Sequence, residues 1–77
     1  MSVQAYILIQ TEVGKANSVA AAIKAIPGVS LAEGVTSPYD VIMRAEAPSM
    51  EEFGRAILSK VQAVPGITRT LTCPVTN

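Results

Sequence analysis

The chain has no histidine, no tryptophan and a single cysteine, and its aromatic content is only 4%. Each shortage excludes something. Without His, neither a Ser-His nor a Cys-His nucleophile pair can be built, so the commonest hydrolase and transferase chemistries are closed. The lone thiol, Cys73, rules out an internal disulfide, and one Cys without His is not a metal cluster. No metal and no cofactor are therefore expected, and catalysis is not. An excess of one charge is missing too: six Lys and Arg balance six Asp and Glu, for a formal net charge of +0. The cations (Lys15, Lys24, Arg44, Arg55, Lys60 and Arg69) are scattered, which gives no basic stripe for a phosphate backbone and no direct nucleic-acid partner. No apolar run approaches the roughly 20 residues that a membrane helix needs, so no membrane partner is expected. Nor does a basic segment followed by an apolar core open the chain. With a free thiol, that makes the cytoplasm the expected compartment.

What is present is aliphatic. Hydrophobic residues make up 49% of the 77 positions, too many for a disordered chain. Small aliphatic side chains must fill the core. The length allows one domain, residues 1–77. A domain this short buries a modest core and usually needs a disulfide, a metal or a partner subunit to be stable. Only the last of these is open here, so an oligomer is expected.

One phrase occurs twice: Ala25-Ile26-Pro27-Gly28-Val29 and Ala63-Val64-Pro65-Gly66-Ile67. Pro cannot extend a helix and Gly turns out of one, so each copy stops a helix and starts a strand. Val3 to Thr11 is β-branched and apolar on both faces, as a central strand would be. From Lys15 to Ile26, Ala16, Val19, Ala20, Ile23 and Ile26 recur at helical steps. Val29, Leu31 and Val35 alternate as a second strand, and Tyr39 to Ala47 as a third. Ser49-Met50-Glu51-Glu52 reads as a capping box, opening a helix that carries Met50, Phe53, Ile57, Val61 and Val64 on one face. Ile67, Leu71, Cys73 and Val75 alternate with threonines as a last strand. The order is β-α-β-β-α-β. Right-handed crossovers place strands one and three in the middle of a ferredoxin-like, α+β antiparallel sheet, with both helices on one face.

The helices are expected to cover Val3, Ala5, Ile7, Ile9, Val41, Met43 and Leu71, with Cys73 a small core hydrophobe. The other face would carry Tyr6, Leu8, Ala32, Ile42 and the threonines, mixed with Gln4, Gln10 and Arg44. That mixture is too apolar to be fully wet, and it has the character of a subunit interface. At roughly 25 cal/mol per Å2, covering a few hundred Å2 is worth several kcal/mol, comparable with the whole stability of a small domain. A sheet-on-sheet dimer is the expected assembly.

Few polar features stand out. Gly14-Lys15 resembles the end of a phosphate loop but lacks the first glycine and the Ser/Thr, so it reads as a helix start. Thr36-Ser37-Pro38-Tyr39-Asp40 has turn chemistry, yet it also offers hydroxyls and a carboxylate. Thr68, Thr70 and Thr72 suit a strand, yet they line up hydroxyls. Together such groups suit a zwitterion: a carboxylate for the ammonium, hydroxyls or backbone N–H groups for the carboxylate.

The opening strand Ala5-Tyr6-Ile7-Leu8-Ile9, the turn Ile26-Pro27-Gly28-Val29, the hairpin Val35 to Ile42 and the segment Val64 to Thr70 form an ordered set spanning nearly the whole chain. In that set the chain resembles the effector-binding domain of the Lrp/AsnC family, a module associated with regulation of amino-acid metabolism. The resemblance implies a dimer of the α/β-barrel type, often assembled further into rings of eight or so subunits, with an amino acid or similar small effector bound between subunits. Carried over by position, the implied ligand-binding residues are Ser37, Tyr39 and Asp40 of the hairpin, with Thr36 beside them, and Thr70, Leu71 and Thr72 of the last strand. Ser37 stands where the family usually has Gly, and Pro38 biases it toward extended backbone. Full-length relatives add a helix-turn-helix domain. Here a strand opens within a few residues of Met1, so a stand-alone module is expected, acting alone or by joining a full-length regulator. The competing readings are a small dimeric α/β-barrel enzyme of the monooxygenase or isomerase type, and an assembly module with no working pocket.

Overall fold

In the computed structural model, which describes residues 2–76, six elements follow one another. They are β1 (Val3–Thr11), α1 (Ala16–Lys24), β2 (Val29–Gly34), β3 (Val41–Ala47), a helix over 50–62 that we call α2, and β4 (Ile67–Pro74). The sheet is antiparallel in the order β2-β3-β1-β4, so the two expected strands do lie in the middle. The fold is the ferredoxin-like α+β class. One face of β1 and β3 (Ala5, Ile7, Ile9, Val41, Met43 and Ala45) is fully buried beneath Val19 and Ile23 of α1 and Phe53, Ile57 and Val61 of α2. Small aliphatics fill this core around one aromatic ring.

Both helices end on the repeated turn. Gly28 and Gly66 take φ of 97° and 96°, a region that costs any residue with a Cβ. Their carbonyls are also used: the Glu46 N–H donates to the Gly28 carbonyl at 2.9 Å, and the Glu12 N–H to the Gly66 carbonyl at 2.7 Å. Each turn is thereby tied to the opposite half of the chain.

At the start of α2 half of the expected box forms. The Ser49 hydroxyl accepts from the Glu52 N–H at 3.1 Å. The Glu52 carboxylate does not reach back; it pairs with the Arg55 guanidinium one turn on. The middle of α2, Phe53–Leu58, is a π-helix set between the α-helical turns Met50–Glu52 and Ser59–Gln62. Its last ring is closed by the Ser59 N–H donating to the Gly54 carbonyl. The buried stripe begins at Phe53. Met50, expected on that stripe, is 48% exposed at the first helical residue.

Two irregularities change which residues share a face. In β2, Val29 pairs with Ala45 but Leu31 pairs with Arg44, leaving Ser30 as an extra residue. In β4, Ile67 pairs with Thr11 but Arg69 pairs with Gln10, leaving Thr68 extra. One extra residue inverts the alternation of everything beyond it. Four expectations are corrected as a result. Ala32, assigned to the open face, lies in the core opposite Met43 and is 1% exposed. Leu71, assigned to the core, stands on the open face opposite Leu8 and is 46% exposed. Cys73 is on that open face too, opposite Tyr6 and half-buried, and is not a core residue. Thr70 and Thr72, assigned to the open face, lie on the helix side, opposite Ile9 and Ile7. Ser30 and Thr68 occupy equivalent places, two residues after the glycine of each turn.

Candidate functional site

The hairpin joining β2 and β3 is held by a small set of hydrogen bonds. The Val35 N–H donates to the Asp40 carbonyl at 2.9 Å and closes it. The Asp40 N–H reaches the Ile9 carbonyl of β1 at 2.8 Å. Asp40 also spends its side chain locally: Oδ2 accepts from the Thr11 N–H at 2.9 Å. Gln10 Nε2 donates to the Pro38 carbonyl, also at 2.9 Å. The Ser37–Pro38 peptide is cis. These bonds fix the hairpin against the end of β1, where β1 itself becomes irregular beside β4.

The candidate residues fall into two groups. Thr36 and Ser37 are exposed at the hairpin tip, and Tyr39 and Asp40 are half-buried at its base. Thr70, across β1 from Val41, lies at the same end of the sheet, because Ile9 pairs with both. Thr72 lies one step further along, opposite Ile7. Leu71 points to the other face. Within one protomer, the structure brings the hairpin and Thr70 to one end of the sheet but keeps the width of β1 between them. Two surface hollows are lined elsewhere. One runs along β2 from Val29 to Glu33 beside Lys24, and another lies between Lys15, Ser18 and Ala22 of the α1 region and Val64-Pro65-Gly66.

A polar cluster on the open face was not singled out from the sequence. Arg44 donates to the Tyr6 hydroxyl at 3.1 Å, and its guanidinium carbon lies 5.3 Å from the centre of the Tyr6 ring. Arg44 also donates to the Gln4 side-chain carbonyl. The signal was present: Tyr6 and Arg44 are direct cross-strand partners once β1 and β3 are paired antiparallel. Around the cluster the open face presents Leu8, Leu31, Ile42 and Leu71, with Glu33 and Arg69 exposed at opposite edges. Among the described residues, no group of three His, Cys, Asp or Glu is placed to hold a metal, and no helix is long and apolar enough to cross a membrane.

A family model described as the Lrp/AsnC ligand binding domain matches residues 4–77. Comparison with curated protein sequences gives no match. Among solved structures, hypothetical protein PHS023 from Pyrococcus horikoshii is 31% identical, with a TM-score of 0.88; the match covers 97% of this chain and 90% of that one. E. coli AsnC superposes with a TM-score of 0.88 at 21% identity, over 97% of this chain and 51% of AsnC. A transcriptional regulator of Neisseria meningitidis, NMB0573, solved as its L-Met complex, superposes at 0.83 and 21% identity, over 97% of this chain and 50% of the regulator. The chain therefore spans about half the length of those two regulators, and at these identities they establish likeness of fold alone.

Proposed function

Because the chain belongs to the Lrp/AsnC ligand-binding domain family, we propose that it is a non-catalytic regulatory module. It binds an amino acid or a similar small effector at the junction between its own copies. The observation that carries this reading is the family match over residues 4–77, nearly the whole chain. The L-Met complex of the Neisseria regulator supports an amino acid as the ligand class. The open face supports self-association. Tyr6, Leu8, Leu31, Ile42 and Leu71 leave apolar surface on a face that no helix covers, and burying it at roughly 25 cal/mol per Å2 stabilises a small domain appreciably.

In this reading the dimer forms through the open faces and assembles further into a ring. The effector meets the hairpin residues Ser37, Tyr39 and Asp40, with Thr36 at the margin, and Thr70, Leu71 and Thr72 of β4. A single protomer holds Leu71 on the open face and Thr70 and Thr72 on the helix side, so the dimer contact reaches Leu71 and a further copy in the ring is needed to enclose the threonines. Free hydroxyls and N–H groups take the ligand carboxylate, and Asp40 takes the ammonium through the carboxylate oxygen that Thr11 does not use. The same assembly surface allows mixed complexes with full-length regulators that carry a DNA-binding domain.

The test is calorimetric titration with the twenty amino acids, paired with light scattering at several protein concentrations. Heat from one or a few of them, with a change in assembly size, is the expected result. A folded protein that gives no heat with any amino acid overturns the effector assignment.

A further inference from the structure

The open face carries four charged side chains besides the hydrogen-bonded Asp40. Arg44 and Glu46 lie on the central strand β3, Glu33 on the edge strand β2 and Arg69 on the opposite edge strand β4. Two of these four are acidic and two basic, so the face carries both signs. Arg44 is engaged by the neutral groups of Tyr6 and Gln4. Among the described residues the one ion pair is Arg55 with Glu52, on the far side of the molecule. Glu33 and Arg69 are thus exposed and without a charged partner inside the protomer.

Their placement distinguishes between the ways two copies can meet face to face. Glu33 is level with Ile42, Leu8 and Leu71 across the sheet; Arg69 is level with Gln10, one same-face step away. If the two-fold axis runs along the strands, β2 of one copy lies over β4 of the other, and levels along the strands are kept. Glu33 then faces the β4 edge one step from Arg69 of the second copy. That step is about 7 Å along the strand and the sheets stack about 10 Å apart, so a Glu and an Arg side chain together span the gap. Symmetry gives the contact twice. If the axis runs across the strands instead, β2 lies over β2 and β4 over β4. The β2 edge then meets an edge with no base on it, and the β4 edge one with no acid.

We infer that Glu33 and Arg69 form two symmetry-related ion pairs between copies of this chain, and that these pairs set β2 of one copy over β4 of the other. This rests on the self-association proposed above and adds its orientation. The apolar residues between the edges supply the attraction, and the edge charges supply the choice of partner and direction. A longer relative would pair more tightly with this chain if it offered the same acid and base on the same two edges.

The experiment uses two charge reversals, Glu33→Arg and Arg69→Glu, followed by sedimentation velocity over a range of concentrations, with circular dichroism to confirm the fold. Each variant alone opposes like charges at both contacts, so its self-association is expected to weaken about tenfold. Mixing the two variants restores opposite charge at both contacts, and the mixed dimer is expected to re-form with wild-type affinity. The double variant E33R/R69E, which exchanges the charges within one chain, is expected to self-associate like wild type at low salt. The differences are expected to fade in molar salt. A wild-type dimer whose single reversals associate normally, or whose mixture shows no recovery, overturns the orientation. A wild-type chain that stays monomeric when concentrated overturns the self-association beneath it.

Discussion

The carboxylate of Asp40 accepts a hydrogen bond from the backbone N–H of Thr11 at 2.9 Å, linking the β2–β3 hairpin to the end of the central strand. The contact spans 29 residues of sequence. It means that the acidic group proposed to hold a ligand ammonium also positions the loop that carries it. Asp40→Ala is expected to remove both the loop contact and the proposed ligand contact at once. A hydrogen bond to a charged acceptor contributes about 1.5–3 kcal/mol, so Asp40→Ala is expected to lower stability to urea by about that amount. Asp40→Asn keeps an acceptor for Thr11 but loses the charge. It is expected to retain most of the stability while losing amino-acid binding. Urea unfolding and calorimetry on the same two variants check both statements.

The glycines divide by what surrounds them. A Cβ on Gly28 would lie 2.9 Å from the Glu46 carbonyl oxygen and 3.2 Å from Ile57 Cδ1, at a φ of 97°. A Cβ on Gly54, inside α2, would meet nothing within 4 Å. Gly28→Ala is expected to cost about 2 kcal/mol or more, from backbone strain and the displaced carbonyl. Gly54→Ala is expected to gain about 0.5–1 kcal/mol through helix propensity. Opposite shifts in the urea midpoint are the measurement; a loss at Gly54 would show that the π-helical segment does not behave as ordinary helix.

Leu8 sits between Ile42 and Leu71 at the middle of the open face. Leu8→Lys places a charge there without touching the core beneath. Two-fold symmetry removes the contact twice, at about 1.5 kcal/mol each, so self-association is expected to weaken about a hundredfold. The protomer is expected to stay folded. Sedimentation gives the first result and circular dichroism the second; an unchanged dimer would place the subunit contact elsewhere.

Much of this architecture is legible in the residues themselves. The span of β1, the Ser49 cap, the glycine turns and the central placement of β1 and β3 all follow from local chemistry and crossover handedness. The faces of Ala32, Thr70, Leu71, Thr72 and Cys73 do not. Counting alternate residues from the turns assumes an unbroken pleat, and Ser30 and Thr68 each break it by one. Nothing in either residue type demands an extra position; pairing with β3 and β1 decides it. The repeated phrase held the only hint, since a distortion in one half suggests its twin in the other. The π-helical stretch of α2 was hidden for a similar reason, because steps of four residues from Phe53 to Ile57 to Val61 suit either helix. The Arg44–Tyr6 contact became visible only with the register. The assignment of Thr70 and Thr72 to the ligand rests on their position in the family pattern.

The strand order has a consequence for how the chain tolerates damage. β1 touches β3 and β4, β2 touches β3, and neither β1 with β2 nor β3 with β4 are neighbours. Every strand contact therefore joins the first half of the polypeptide to the second. Neither half owns a single ladder rung by itself. Severing the chain at the exposed Thr36–Ser37 tip would yield two fragments that are each shapeless alone and interlock only when mixed, so this domain must form as a whole or not at all.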